Sequence, residues 1–216
     1  MIDAYRWFFM LFIWVIPTLT AVSWREAVKA HLSHYRGDST AKMLGLGSFS
    51  PIKNIHPIGS AVSPLLLILK HNDIYAWANK IEVRSSYLNQ GRADTILILS
   101  SAIAFNFLLA LVWAWLAQFS AMLPSGSIQY LIMESCKAGI KVNLVLFVMH
   151  LIPLPPLDMS SIVREFMPRY PKSFYASLDS IGHYLIFFAL LLDYAQPYLD
   201  PILLHLQQLI TSLVGA

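Results

Sequence analysis

Three ionisable residues crowd the end of an apolar stretch: Arg25, Glu26 and Lys29, in Trp24-Arg25-Glu26-Ala27-Val28-Lys29. A fourth, Asp158, closes another apolar stretch, in Leu154-Pro155-Pro156-Leu157-Asp158. A carboxylate in such a setting can act as a general base or as an oxygen ligand to a metal. Arg and Lys suit neither task, because a guanidinium stays protonated and an ammonium has no lone pair to give. Arg25 and Lys29 are four apart and share a helix face, with Glu26 about 100° round. Two cations and two carboxylates brought together would cancel, the least costly way to hold charge in apolar surroundings. The alternative is that Arg25 and Lys29 snorkel to an aqueous boundary.

Other groups invite the same question. His31 and His34 are three apart, but lie about 240° and 180° round the helix from Arg25, facing away from it. Asn143 and His150 are seven apart, two helical turns, and share a face; His150 is a candidate third ligand beside Glu26 and Asp158 in a rearranged metal site. Glu134, Lys137 and Lys141 form a charged ladder on one face of an apolar segment. Such charges mark either an ion pair that packs the helix, a proton relay or a partner contact. Asp179 and His183, one turn apart, are weaker candidates of the same kind.

The elements that must position these groups are mostly helical. Apolar runs predict a helix over 4–35, a short apolar segment over 57–70, helices over 95–122, 128–152 and 174–192, and a C-terminal helix over 201–214. Residues 42–56 alternate weakly and contain Gly and Pro, which suggests a small β-hairpin. The 57–70 run is short for a full membrane crossing, so 42–71 reads as a hairpin plus a re-entrant segment. In the polar stretch 71–94, Tyr75 and Trp77 are expected at the level of lipid headgroups. The basic stretches 36–53, 70–92 and 164–172 then face the cytoplasm.

The chain has 216 residues, of which 57% are hydrophobic and 12% charged, against about 25% charged in ordinary soluble domains. With six Trp, ten Tyr and twelve Phe, this predicts one all-α polytopic membrane domain spanning 1–216. The net charge of +3 is too small to argue for nucleic acid. The single cysteine, Cys136, excludes an intrachain disulfide. The N-terminal run has no clear small-residue cleavage site and reads as a retained helix.

Several segments resemble the site-2 protease family of intramembrane zinc metalloproteases. Where that family has His-Glu-x-x-His-Ala and then Gly-Asp-x-Thr-Ala, this chain has Arg25-Glu26-Ala27-Val28-Lys29-Ala30 and Gly37-Asp38-Ser39-Thr40-Ala41. Ser50-Pro51-Ile52-Lys53-Asn54-Ile55-His56-Pro57-Ile58-Gly59 resembles the family's Asn-Pro-x-x-His-Ile-Asp-Pro-Ile-Gly. His150-Leu151-Ile152-Pro153-Leu154-Pro155-Pro156-Leu157-Asp158-Met159 resembles its Asn-Leu-x-Pro-x-Pro-Pro-Leu-Asp-Gly. By this resemblance Arg25 and Lys29 stand where two zinc-binding histidines belong, Glu26 at the general base and Asp158 at the third ligand; Asn143 and His150 line the cleft. The resemblance implies a site-2-protease-like helical core, no metal and no cofactor. It also implies a pseudoprotease that binds a membrane-protein partner in a bacterial inner membrane. Two other readings stand beside it: a structural subunit of a larger membrane complex with a charged relay, and a zinc protease with a rearranged site.

Overall fold

The computed structural model describes the backbone of residues 2–71 and 74–215, and side chains except those of 2–8, 71 and 169–172. The charges of Arg169 and Lys172, part of the orientation reading, therefore lie outside the described side chains. The chain is almost entirely helical. Its longest elements are α1 (Ile2–Tyr35), α5 (Arg92–Ala121) and α6 (Ser127–His150). Between α1 and α5 come the short helices α2 (Thr40–Met43) and α3 (Pro51–Asn54), a π-helical turn (Pro57–Val62), α4 (Ser63–His71) and a 3-10 turn (Ser85–Tyr87). After α6 follow α7 (Asp158–Arg164), α8 (Arg169–Ser177), α9 (Asp179–Leu191) and α10 (Gln196–Val214).

The core forms where α1, α5 and α6 meet. Ala21, Ala102 and Ala110 are fully buried, and small residues at such positions let helix backbones approach closely. The bulk is supplied by Ile98 of α5 and by Val142, Leu144 and Leu146 of α6, all inaccessible or nearly so. A polar tie crosses this apolar seam. Asn106 Nδ2 donates to Asn143 Oδ1 at 3.1 Å, and Asn143 Nδ2 donates to the Gly139 carbonyl at 2.8 Å. Inside an apolar interface each amide needs the other, so the pair fixes the rotational setting of α5 against α6.

The Gly37-Asp38-Ser39-Thr40 segment makes the turn out of α1. Gly37 takes φ of +112°, a conformation that glycine adopts without strain. Asp38 Oδ1 then accepts from the Thr40 N–H at 2.9 Å, satisfying an open donor at the start of α2.

Between α4 and the 3-10 turn, residues 74–84 run extended across the molecule. Their backbone is held by the π turn and α3: Trp77 N–H donates to the Gly59 carbonyl at 3.1 Å and Asn79 N–H to the Asn54 carbonyl at 2.9 Å. Ser60 Oγ and Ser63 Oγ donate to the carbonyls of Trp77 and Tyr75, each at 2.8 Å. A β-carbon on Gly59 would overlap the Trp77 ring; glycine there admits the indole.

Four expectations are corrected. Among the described residues there is no β-strand. The 42–56 region forms α2, turns and α3, and the one trace of pairing is an isolated antiparallel bridge between Ile55 and Ala78. Among the described residues no re-entrant β-hairpin forms, because the Gly and Pro residues of 42–56 close helical turns. Second, the polytopic arrangement is not found. Among the described residues two helices are long and apolar enough to cross a membrane, Phe9–Tyr35 and Arg92–Ala121. Every 18-residue window of α6 contains Glu134, Lys137 and Lys141, while the apolar runs Pro57–Lys70 and Asp179–Leu191 are too short. Third, Tyr75 and Trp77 are buried, not displayed at a surface. The 174–192 run is also broken: α8 ends at Ser177 and α9 starts at Asp179.

Candidate functional site

Two elements bring the ion cluster together. The last third of α1 carries Arg25, Glu26 and Lys29. The Leu154–Leu157 turn delivers Asp158 to the start of α7, with Ser160 N–H and Ser160 Oγ both bonded to the Leu157 carbonyl (3.1 and 2.6 Å). Gly182 of α9 lies against Pro155 and Pro156 with no room for a β-carbon, so α9 clamps the turn from outside.

Asp158 then meets both cations. Arg25 Nη2 donates to Asp158 Oδ2, and Lys29 Nζ lies 3.4 Å from Asp158 Oδ1. Glu26 Oε1 receives Lys29 Nζ at 2.6 Å and Arg25 Nη1 at 3.3 Å. Its other oxygen accepts the backbone N–H of Ile81 at 2.9 Å. The four residues are between 1% and 5% exposed, so pairing and hydrogen bonds inside the protein, not bulk solvent, support their charge. Two positive and two negative groups leave no net formal charge, which is the condition for tolerating such burial. The snorkelling alternative does not describe these side chains.

His150 completes the cluster. Its Nδ1 lies 2.8 Å from Arg25 Nη2 and 3.2 Å from the Asp158 backbone N–H. Both neighbours can only donate, so Nδ1 is the acceptor and Nε2 carries the ring proton. Burial would raise the Asp158 carboxyl, but Arg25 and Lys29 outweigh it and hold the group below the usual carboxylate range. Beside the cluster, burial lowers the Lys80 ammonium, with Asp179 acting against it.

The space left among these groups is about 20 Å³, bordered by Trp77, Lys80, Leu146 and His183 as well as the cluster. That volume holds roughly one water and excludes a polypeptide segment. Tyr75, Trp77, Lys80 and Ile81 all belong to the extended segment, which sequence reasoning did not connect with the site. The available signal was an apolar, aromatic run, Ile74 to Ala78, inside the most polar part of the chain. His183 joins the same wall: it stacks on Trp77 at 4.9 Å between ring centroids and hydrogen-bonds Tyr75 Oη at 2.9 Å.

The remaining candidates lie elsewhere. Asn143 belongs to the Asn106 tie and not to the site. His31 stacks on Phe49, and His34 Nδ1 bonds Ser39 Oγ at 2.8 Å. Asp179 pairs with Arg164 at 2.6 Å and Lys80 at 3.7 Å. Lys137 pairs with Glu134 at 2.7 Å. Together with Lys141 these two line a separate cleft between α1, α6 and α10.

Comparison with known proteins adds one distant homologue. The chain is 28% identical over 184 residues to the Bacillus subtilis protein named "Putative zinc metalloprotease YwhC", covering 82% of this chain and 78% of that protein. No protein-family profile matches the chain, and no solved structure does. The name of the homologue implies zinc, and the residues present here do not fit it. Among the described residues no group of three or more His, Cys, Asp and Glu side chains is placed to hold a metal ion. The Arg25 guanidinium bonds both Asp158 and His150, and the lone pair that His150 Nδ1 would offer a metal is already taken. A divalent ion there would meet two fixed positive charges.

Proposed function

We propose that this chain is a pseudoprotease: a non-catalytic relative of site-2-type zinc proteases that holds a membrane-protein partner without cutting it. The observation that carries the reading is Arg25 bonded to both Asp158 and His150, with Lys29 behind it. Hydrolysis by such a site needs an activated water and a free general base. Here Glu26 is engaged by Lys29 and by the Ile81 N–H, so it has no freedom to take a proton. Both Asp158 oxygens are engaged as well. The distant likeness to a protein named as a zinc metalloprotease supports retention of the scaffold, while the four-charge cluster supports loss of the chemistry.

A partner segment cannot enter a cavity of this size, so it must bind beside it. An open apolar groove of about 320 Å³ runs between α1 and the π turn and α4, lined by Leu11, Val15, Ile55 and Leu65. This groove suits an apolar segment of a membrane-protein partner, because it offers burial area without charge. Nearby on α1, Phe12 and Ile16 are exposed and extend the apolar surface.

The test is elemental analysis of protein purified without chelator, paired with incubation against membrane-protein substrates and affinity purification from native membrane in mild detergent. Zinc well below one per chain, no cleavage and a retained membrane protein are expected. Zinc near one per chain that disappears in Asp158→Ala, accompanied by cleavage, would overturn the reading.

A further inference from the structure

The cavity at the ion cluster has two open neighbours. A polar cleft of about 800 Å³ lies between the extended segment, α7 and α9, with Arg84, Ser161, Arg164 and Ser180 on its walls. A smaller cleft of about 290 Å³ lies between that segment and the turn after α1, at Asp38 and Tyr87. Lys80 is the one described residue that borders both clefts and the cavity. Where the three spaces adjoin, the partition is this side chain.

The backbone under Lys80 is fixed. Asn79 N–H donates to the Asn54 carbonyl and Ile81 N–H to Glu26 Oε2, each at 2.9 Å. Motion here is therefore a rotation of the Lys80 side chain, not a shift of the segment. That side chain is loosely tied. Its ammonium lies 3.7 Å from Asp179 Oδ1, whereas Arg164 holds Asp179 Oδ2 at 2.6 Å. Lys80 can leave without stranding the carboxylate, and with 27% of its side chain exposed its ammonium has water to move into. A partly exposed pair of this kind resists such a move only weakly.

We propose that Lys80 is a side-chain gate on the ion cluster. Closed, its aliphatic stem covers the cavity while the charged head stays at the cleft. Swung out, it admits water to Glu26 and Asp158. The cavity behind it, about 20 Å³, has room for roughly one water, so the gate passes water and small polar solutes and not a polypeptide. The cluster feels the difference. Attraction between charges falls as the local dielectric rises, so the position of Lys80 sets how strongly Arg25 and Lys29 hold Asp158.

Cysteine labelling of the full chain in detergent tests this. Ala76 is 1% exposed and lines the cavity, and the native thiol is removed by Cys136→Ala. In that background Ala76→Cys is treated with aminoethyl methanethiosulfonate, a small cationic thiol reagent, and followed by mass spectrometry. Labelling should be slow with Lys80 in place. Lys80→Ala deletes the partition and leaves a cavity, and should speed labelling about tenfold or more. Lys80→Met keeps the length without the charge and should stay slow. Asp179→Asn leaves Lys80 present but unlatched, and should speed labelling about two- to fivefold, the value of one partly exposed ion pair. Hydrogen exchange separates gating from loosening of the segment. The Trp77 and Asn79 amides, bonded to the π turn and α3, should keep their protection, while the Ile81 amide on Glu26 should exchange faster in Lys80→Ala. Equal labelling in Lys80→Ala and its parent, or fast labelling in Lys80→Met, overturns the proposal. Should Lys80→Ala lose protection along the whole segment, Asp179→Asn decides: no gain in labelling, or a gain accompanied by faster exchange at Trp77 and Asn79, overturns it.

Discussion

Asp158→Asn keeps the shape of the side chain and deletes its charge. The cluster then holds Arg25 and Lys29 against Glu26 alone, one uncompensated positive charge among groups no more than 5% exposed. At the 3.4 Å separation of Lys29 and Asp158, an effective dielectric near 20 gives a lost attraction of about 5 kcal/mol. Breaking one side of a buried pair typically costs about 3–5 kcal/mol. For a chain of this length each kcal/mol moves Tm by about 2–4 °C, so a fall on the order of 10 °C is expected by thermal shift in detergent. Adding Lys29→Met restores neutrality and should recover part of the loss, giving a coupling energy in a double-mutant cycle. The pH dependence has a definite sign. Asp158 has a lowered folded-state pKa, so its contribution is present above the unfolded value near 4 and fades as pH falls toward the folded one. The gap in Tm between wild type and Asp158→Asn should therefore shrink on acidification below about pH 4. A single variant that melts like wild type at neutral pH, or a gap that widens in acid, would refute the argument.

Two other outcomes follow from the same geometry. Asn106→Leu or Asn143→Leu alone strands a buried amide and should cost about 1–3 kcal/mol, whereas the double substitution should be milder than the sum, as read by chemical or thermal unfolding. Arg25→His with Lys29→His replaces the two cations by imidazoles one turn apart, facing Asp158. That supplies three zinc ligands, so elemental analysis should find a gain toward one zinc per chain that Asp158→Asn abolishes, and folded protein without zinc would contradict the assigned geometry.

The helical character was legible from hydrophobic runs alone, because a stretch such as 95–122 admits little else. The absence of the hairpin was not. Residues 42–56 carry weak alternation, and Gly and Pro serve helical turns as readily as strand turns. The number of membrane-length helices was overestimated for a similar reason. Bulk hydropathy counts apolar residues without asking whether charges such as Glu134, Lys137 and Lys141 interrupt every window long enough to cross.

From the sequence came the types and helical spacing of Arg25, Glu26 and Lys29, the Asp158 that ends the Pro-Pro turn, and the inference that two fixed cations exclude zinc from those positions. These are local facts: spacing along a helix sets a shared face, and side-chain chemistry sets what can bind a metal. Only the tertiary structure decided who closes the site. The extended segment 74–84 lies far from both motifs in sequence, yet its Ile81 N–H caps Glu26 and its Trp77 and Lys80 wall the cavity. Likewise Asn143 turned from the cleft to Asn106, and the ladder of α6 acquired a cleft from α1 and α10. Which surfaces meet depends on how long helices pack against one another, a sum over many small contacts that no single motif encodes.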